Sequence, residues 1–188
     1  MPAKASSPSR PTRSMAPCDP SLFLVVLGGR LPGVHIELHD VRFVAGSSME
    51  ATLPELRRQW FGSRSGLHLD SWMRVRGVDG YRVVLRREPF SGPERLWFVN
   101  MGGYDPEQLA EQHAFGLFVA TSPQAAKAAA RRRLLPEALE RHKDDLHELK
   151  LETVQGAAEG EEGGWAVHLL AGGEAQPQRP DWFGYQPI

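Results

Sequence analysis

The side chains best suited to chemistry in this 188-residue chain fall into two spaced sets. Glu37 and His39, then His68 and Asp70, form the first; Glu111 and His113, then His142 and Asp144, form the second. Residues two apart on a β-strand point to the same side, so each Glu-x-His and each His-x-Asp reads as a carboxylate–imidazole pair on one face. Imidazole nitrogen with carboxylate oxygen suits zinc, manganese or non-haem iron. A histidine oriented by its carboxylate also suits general-base work, alone or beside a pair of metal ions. The plain structural reading is that the carboxylate fixes a histidine tautomer or takes nearby loop amides. No spacing here is that of a strong metal signature such as His-Glu-x-x-His. Structure is therefore the default role, with a polar ligand pocket and a metal or catalytic centre as the alternatives.

The two sets are related by a shift of 74 residues, and so is much else in the chain. The same shift pairs Leu22 with Leu96, Val25 with Val99, Gly28-Gly29 with Gly102-Gly103 and Pro32 with Pro106. It also pairs Ser48 with Ser122, Ala51 with Ala125 and Arg57-Arg58 with Arg131-Arg132. About a dozen identities over some fifty-odd positions exceed the roughly three or four that ordinary composition gives. The chain reads as a tandem duplication, and two-fold-related halves would have the means to bring both polar sets to a shared interface.

Each half is predicted to begin with a short strand, residues 22–27 and 96–101, running into its Gly-Gly pair, which is read as a tight turn or bulge. A second strand follows at about 34–45 and 112–120. Alternation puts His39, Val41 and Phe43 on one face, and His113, Phe115, Leu117 and Val119 on the equivalent one. A helix comes next. In the first half Ser47 and Glu50 make a capping box, Met49, Leu53, Leu56 and Trp60 an apolar stripe, and Pro54 predicts a kink or split near residue 53. In the second, Ser122 caps, Pro123 takes the first helical position, and the helix ends before Pro136. A hairpin closes each half, with strands at 69–75 and 81–85 around Gly77-Val78-Asp79-Gly80, and at 146–154 and 165–170 around the Gly- and Glu-rich segment 156–164. Residues 136–150 favour helix by propensity, but the alternation of His147, Leu149 and Leu151 favours strand from about residue 145. The fold expected is α+β: a tandem pseudo-two-fold duplication of a ββαββ unit, largely antiparallel, with one helix per repeat. One globular domain is expected over 22–170, with repeats at about 22–88 and 95–170. An irregular end follows at 171–188, docked by Trp182, Phe183 and Tyr185.

Composition sets the outer limits. With 41% apolar and 24% charged residues the chain can bury a core without disulfides or metals. Its one cysteine, Cys18, excludes an intramolecular disulfide and a cysteine-rich zinc site. A formal charge of −1 supplies no overall basic field, which argues against nucleic acid or an anionic membrane as partner. Residues 1–21, with Lys4, Arg10, Arg13 and many Ser and Pro, read as a disordered basic tail; Met15 is an alternative start. The first apolar run, Leu22 to Leu27, is shorter than the roughly 7–15 residues of a signal h-region or the roughly 20 of a span, so no membrane and a cytoplasmic location are expected. Neither Gly-Gly pair opens a helix or precedes Lys-Ser or Lys-Thr, against a dinucleotide or P-loop site. Arg131-Arg132-Arg133, Arg57-Arg58 and Arg141 read as solvated helix faces, and Trp60, Trp72 and Trp97 as core or interface. Ser71 next to Asp70 points to the opposite face, so with His68 it makes no triad.

Several motifs in order carry a family resemblance. LFLVVLGGRLPG, IELHDVRFVAG, LRRQWFG, GLHLDSWM and VDGY in the first half, and WFVNMGGY and HKDDLHELKLE in the second, resemble the bacterial domain of unknown function family 1543. The likeness spans roughly 22–154 and, more loosely, the terminal Tyr185-Gln186-Pro187-Ile188. It implies a small cytosolic bacterial protein and carries over no catalytic residue. The basic tail and the insertion at 156–164 depart from the family pattern. The reading that results is a non-enzymatic binding or interaction module using the groove between the repeats or an edge strand. The alternative is a metal-dependent, hydrolase-like enzyme using His39, His68, His113 and His142 with their carboxylates. No cofactor is demanded; a divalent transition metal is the one these donors suit. The symmetric surface or an exposed edge would support a homodimer. Convergence of the polar side chains on one point discriminates the two.

Overall fold

Apolar residues at nearly every position make β1 (Ser21–Gly29) a strand buried on both faces. Phe23, Val25 and Leu27 enter one apolar cluster, Leu22 and Leu24 another. The computed structural model describes residues 19–134, 140–156 and 164–188, with residues 140–146 described in backbone alone. Antiparallel neighbours flank β1 on either side, β2 (Leu38–Gly46) and β3 (His68–Arg74). A further strand, β11 (Trp182–Pro187), lies on the outer edge of β3, giving the order β11-β3-β1-β2. The second half repeats the centre of this sheet: β6 (Arg95–Tyr104) lies between β7 (Gln112–Ala120) and β8 (Glu140–Leu151).

A third sheet joins the halves. It contains β4 (Gly77–Val78) and β5 (Tyr81–Arg86) from one side, and β9 (Thr153–Val154) and β10 (Trp165–Ala171) from the other, in the order β4-β5-β10-β9. Antiparallel pairing of β5 with β10 makes the join. Val83, Leu85, Val167 and Leu169 on this sheet meet Leu22, Leu24, Phe98 and Leu117 in one cluster shared by both halves. Among the described residues every strand pair is antiparallel, and an isolated parallel bridge joins Ala45 of β2 to Gly156.

The helices cover the other faces. Met49 and Leu56 of α1 (Met49–Gln59), with Trp60 just past its end, pack on Phe23, Val25, Leu27 and Leu69. Ala126 and Ala130 of α2 (Pro123–Arg133) pack on Trp97, Val99, Met101 and Phe118. Equivalent caps start them: Ser48 Oγ accepts from Ala51 N–H, and Ser122 Oγ from Ala125 N–H, each at 3.2 Å.

Several expectations are corrected. The cap of α1 is Ser48 rather than Ser47. Pro54 does not split α1, because its missing N–H removes a single bond, to a carbonyl in the first turn, from a helix that packing already holds. The Gly-Gly pairs are not turns: β1 and β6 run through them, and none of the four glycines has positive φ. The predicted hairpin strands 69–75 and 81–85 do not pair with each other. β3 stays on β1, while β4 leaves for the central sheet and meets β5 through a two-residue turn, Asp79-Gly80, with φ of 50° and 82°. The ending at 171–188 is not irregular throughout, since it contains β11. Trp182 packs into the α1 cluster, whereas Phe183 points to solvent, 79% exposed. Strand wins over helix propensity in β8 because its alternating apolar residues pair with β6. Cys18 and segment 157–163 lie outside the described residues.

The 74-residue shift holds for both helices, both N-caps and β2 with β7, but fails at β8. Val25 pairs with Trp72, and its mate Val99 pairs with Glu148, a shift of 76. The irregularity that absorbs this lies where Met101 pairs with Leu146 and Gly103 with Arg141.

The segment between β10 and β11 ties the halves together with side-chain amides that act like strand backbone. Gln178 accepts from Leu117 N–H and donates to Leu117 O, each at 2.7 Å. Gln176 accepts from Arg76 N–H at 2.8 Å and donates to Arg74 O at 3.2 Å.

Candidate functional site

Three adjacent strands place His39, His68 and Asp70, and Glu37 stands just before β2, which begins at Leu38 rather than near residue 34. Gly28 of β1 is paired with His39 on β2 and with His68 on β3, so two imidazoles flank a residue that has no side chain. A Cβ on Gly28 would stand 2.3 Å from His68 Nε2, 2.7 Å from Cε1 and 2.9 Å from Asp70 Oδ2. The glycine is therefore a matter of clearance, and its absent side chain is the space in which the polar groups meet. Asp70 reaches that space because β3 bulges: Val26 pairs with Ser71 and Leu27 with Leu69, leaving Asp70 as the extra residue.

The quartet converges. His68 Nε2 is 3.2 Å from Asp70 Oδ1 and 3.9 Å from Glu37 Oε2; His39 Nε2 is 3.3 Å from Asp70 Oδ2 and 4.0 Å from Glu37 Oε2. His68 Nδ1 lies 2.8 Å from Gly66 O and, as the donor there, commits its proton to the backbone. Nε2 of the neutral ring is then a lone pair facing two carboxylates, an arrangement that calls for a proton or a metal cation between them. Asp70 Oδ2 is buried and lacks an aligned hydrogen bond even though His39 lies within ion-pair distance. Burial is graded: His68 is 1% exposed, while the His39 side chain is 52% exposed and opens the cluster to solvent. The Tyr185 ring from β11 stacks on His68 with centroids 4.2 Å apart. As placed, the four side chains pair with one another, and among the described residues no group of three or more His, Cys, Asp or Glu is arranged so that it could hold a metal ion.

In the second half His113 on β7 stands opposite Gly102, repeating the His39–Gly28 row, and its Nε2 is 3.4 Å from Glu111 Oε2. His142 and Asp144 lie on β8 near its irregular pairing, and their side chains lie outside the described ones. The first set thus assembles within its own half, across β2, β1 and β3, rather than at an interface between halves.

Gly29 repeats the clearance argument on the other face. A Cβ there would be 2.6 Å from the Trp60 indole, whose Nε1 donates to Ser63 O at 3.0 Å. Residue patterning alone does not reveal Gly28, the Asp70 bulge or Tyr185 as parts of the site; the sequence showed the repeated Gly-Gly pair but not its register with both histidines.

Two carboxylates away from the quartet, Glu55 and Asp79, have structural roles. Burial pushes the Glu55 carboxyl up, but hydrogen bonds from Arg58 and Gln59 outweigh it and hold it below the ordinary 4.5. Asp79 is also pushed up by burial and held below 3.8 by Arg133 and the Val119 N–H. Those bonds, 2.6 Å to Arg133 Nη1 and 2.9 Å to Val119 N, fasten the β4–β5 turn to α2 and β7 of the other half.

The family profile of the Domain of Unknown Function (DUF1543) matches residues 34–85 and 108–157. The chain belongs to this family. The two matched regions begin 74 residues apart, the shift that relates the helices. The crystal structure of a protein Il1583 from Idiomarina loihiensis is similar at 41% identity with a TM-score of 0.70, covering 90% of this chain and 98% of that one. No curated protein matches. Among the described residues no helix of this DUF1543 member is long and apolar enough to cross a membrane.

Proposed function

We propose that this DUF1543 chain is a non-enzymatic binding module, that its binding centre is the His39–His68–Asp70–Glu37 quartet over Gly28, and that its ligand there is a divalent transition-metal cation. The observation that carries this is convergence: two imidazole Nε2 atoms stand within 3.2–4.0 Å of carboxylate oxygens on two residues. In a tetrahedral zinc site with bonds of about 2.0–2.1 Å, neighbouring donors stand roughly 3.3 Å apart, close to the two shorter contacts here. Binding requires the carboxylates to turn from pairing with the imidazoles to sharing the cation with them. The His68–Gly66 bond supports this by fixing the buried ring with Nε2 toward the centre. In the second half the reading rests on Glu111 and His113, whose carboxylate and imidazole repeat the Glu37–His39 pair, while His142 and Asp144 stay candidates by sequence alone. This reading takes residues 22–170 as one domain built by duplication of a ββαββ unit.

The second reading, a metal-dependent hydrolase-like enzyme, is favoured by the exposure of His39, which leaves one side of the centre open to water. Calorimetric titration of chelator-treated protein with zinc and manganese tests both. Saturable binding that His39→Ala and Asp70→Asn weaken at least tenfold is expected. No binding to folded protein, or binding indifferent to both variants, overturns the metal reading and returns the histidines to architecture.

A further inference from the structure

An open groove of about 700 Å³ runs between the end of β3 and the outer face of β5. Five guanidinium side chains line it, Arg74, Arg76, Arg82, Arg86 and Arg87, against two carboxylates, Asp19 and Glu88. Alternation along β5 produces the outer row: Val83 and Leu85 are buried, so Arg82, Val84 and Arg86 face outward. Four residues along a strand set Arg82 and Arg86 about 13 Å apart, with Val84 between them. Arg76 is partly neutralised by Asp181 at 3.1 Å, and Arg87 lies over the Trp165 ring at 3.7 Å. Among the described residues Arg82 and Arg86 have no carboxylate partner. A chain of formal charge −1 thus concentrates positive charge on one strip, which its overall balance conceals.

We propose that this groove binds single-stranded nucleic acid, with Arg74, Arg82 and Arg86 on backbone phosphates and bases laid on the apolar surface of Val84 and Leu170. Positive charge repeated along a line, with apolar surface between, fits a chain of phosphates carrying flat rings better than one compact anion. A duplex fits less well, since it is read by an element that enters its groove and this face is a sheet. The inference is independent of the metal reading, because no quartet residue lines the groove.

Fluorescence anisotropy of the full chain with a labelled oligothymidylate of roughly 16 nucleotides tests it. Binding is expected with a log–log salt slope of about −2, from three phosphates at about −0.7 each. Arg82→Ala/Arg86→Ala is expected to weaken binding at least tenfold and to reduce the slope by about 1.4. Both side chains are exposed, and an unchanged thermal midpoint would show the variant folded. No binding at about 100 µM protein in low salt overturns the proposal. So does an undiminished affinity in the double variant, which would place binding on the basic N-terminal segment. Displacement by polyglutamate as effective as by unlabelled oligonucleotide also overturns it, in favour of an acidic polypeptide.

Discussion

Replacing Gly28 by Ala adds one methyl group where the structure has room for none. Its Cβ would stand 2.3 Å from His68 Nε2, so an ordinary contact of 3.4 Å requires the ring to move by about 1.1 Å. His68 is poorly placed to move: it is 1% exposed, bonded through Nδ1 to Gly66 O at 2.8 Å and stacked on Tyr185. Overpacking of this kind costs about 1–3 kcal/mol. Loss of the buried hydrogen bond adds about 1–3 kcal/mol. A less flexible unfolded chain returns about 0.4–1 kcal/mol. The net loss of about 1–5 kcal/mol, centred near 3, lowers the thermal midpoint by roughly 6–12 °C at that centre for a chain of this size. Scanning calorimetry reads this directly. The stricter assay is a double-mutant cycle, because truncating the imidazole in His68→Ala removes the two closest atoms that the new methyl strikes and leaves Asp70 Oδ2 at 2.9 Å, the end of a side chain then free to turn away. Gly28→Ala is then expected to cost clearly less in the His68→Ala background, with a coupling of at least about 1 kcal/mol. An equal cost in both backgrounds refutes the clearance argument, and with it the reason given for a glycine between the two histidines.

His39→Ala, at a side chain 52% exposed, is expected to change stability by under about 0.5 kcal/mol while removing zinc binding; a large fall in the thermal midpoint would instead show a structural histidine. Ser48→Ala and Ser122→Ala are each expected to cost about 1 kcal/mol in chemical denaturation, since each removes one cap of the same geometry. Glu55 and Asp79 are held below their ordinary values in the folded chain, so they contribute stability above those values that is lost as pH falls through the folded ones. Urea midpoints should therefore fall below about pH 4, and Glu55→Gln should flatten that acid limb; an unchanged limb would show that Glu55 is not its source. Gln178→Ala leaves the N–H and C=O of Leu117 without their side-chain partner and is expected to cost about 1–2 kcal/mol by denaturant midpoint.

Local chemistry made much of this fold legible. A hydroxyl cap at Ser122, Pro123 at a helix start, a turn at Asp79-Gly80 and the alternation along β7 are properties of short windows, where the competing conformations differ by nearest-neighbour sterics and hydrogen bonds. The 74-residue shift was legible for a related reason, since equivalent helices, caps and second strands impose the same demands on residue type. Pairing partners were less accessible. A window shows that Leu69–Val75 and Tyr81–Leu85 can be strands, but not that burial of Met73 against Leu24 and of Leu169 beside Val83 sends them to different sheets.

The candidate site divides in the same way. Residue types and spacing made Glu37, His39, His68 and Asp70 a chemically coherent set. Only the register of β1 against both neighbours put Gly28 between the histidines, because register is decided by which faces are buried along the whole strand. The bulge that turns Asp70 inward depends on that register, and so does the strand that lays Tyr185 on His68 from more than a hundred residues away. By itself the sequence determined the donors; long-range pairing decided that they share one point, since contact between distant residues is a property of the assembled sheet.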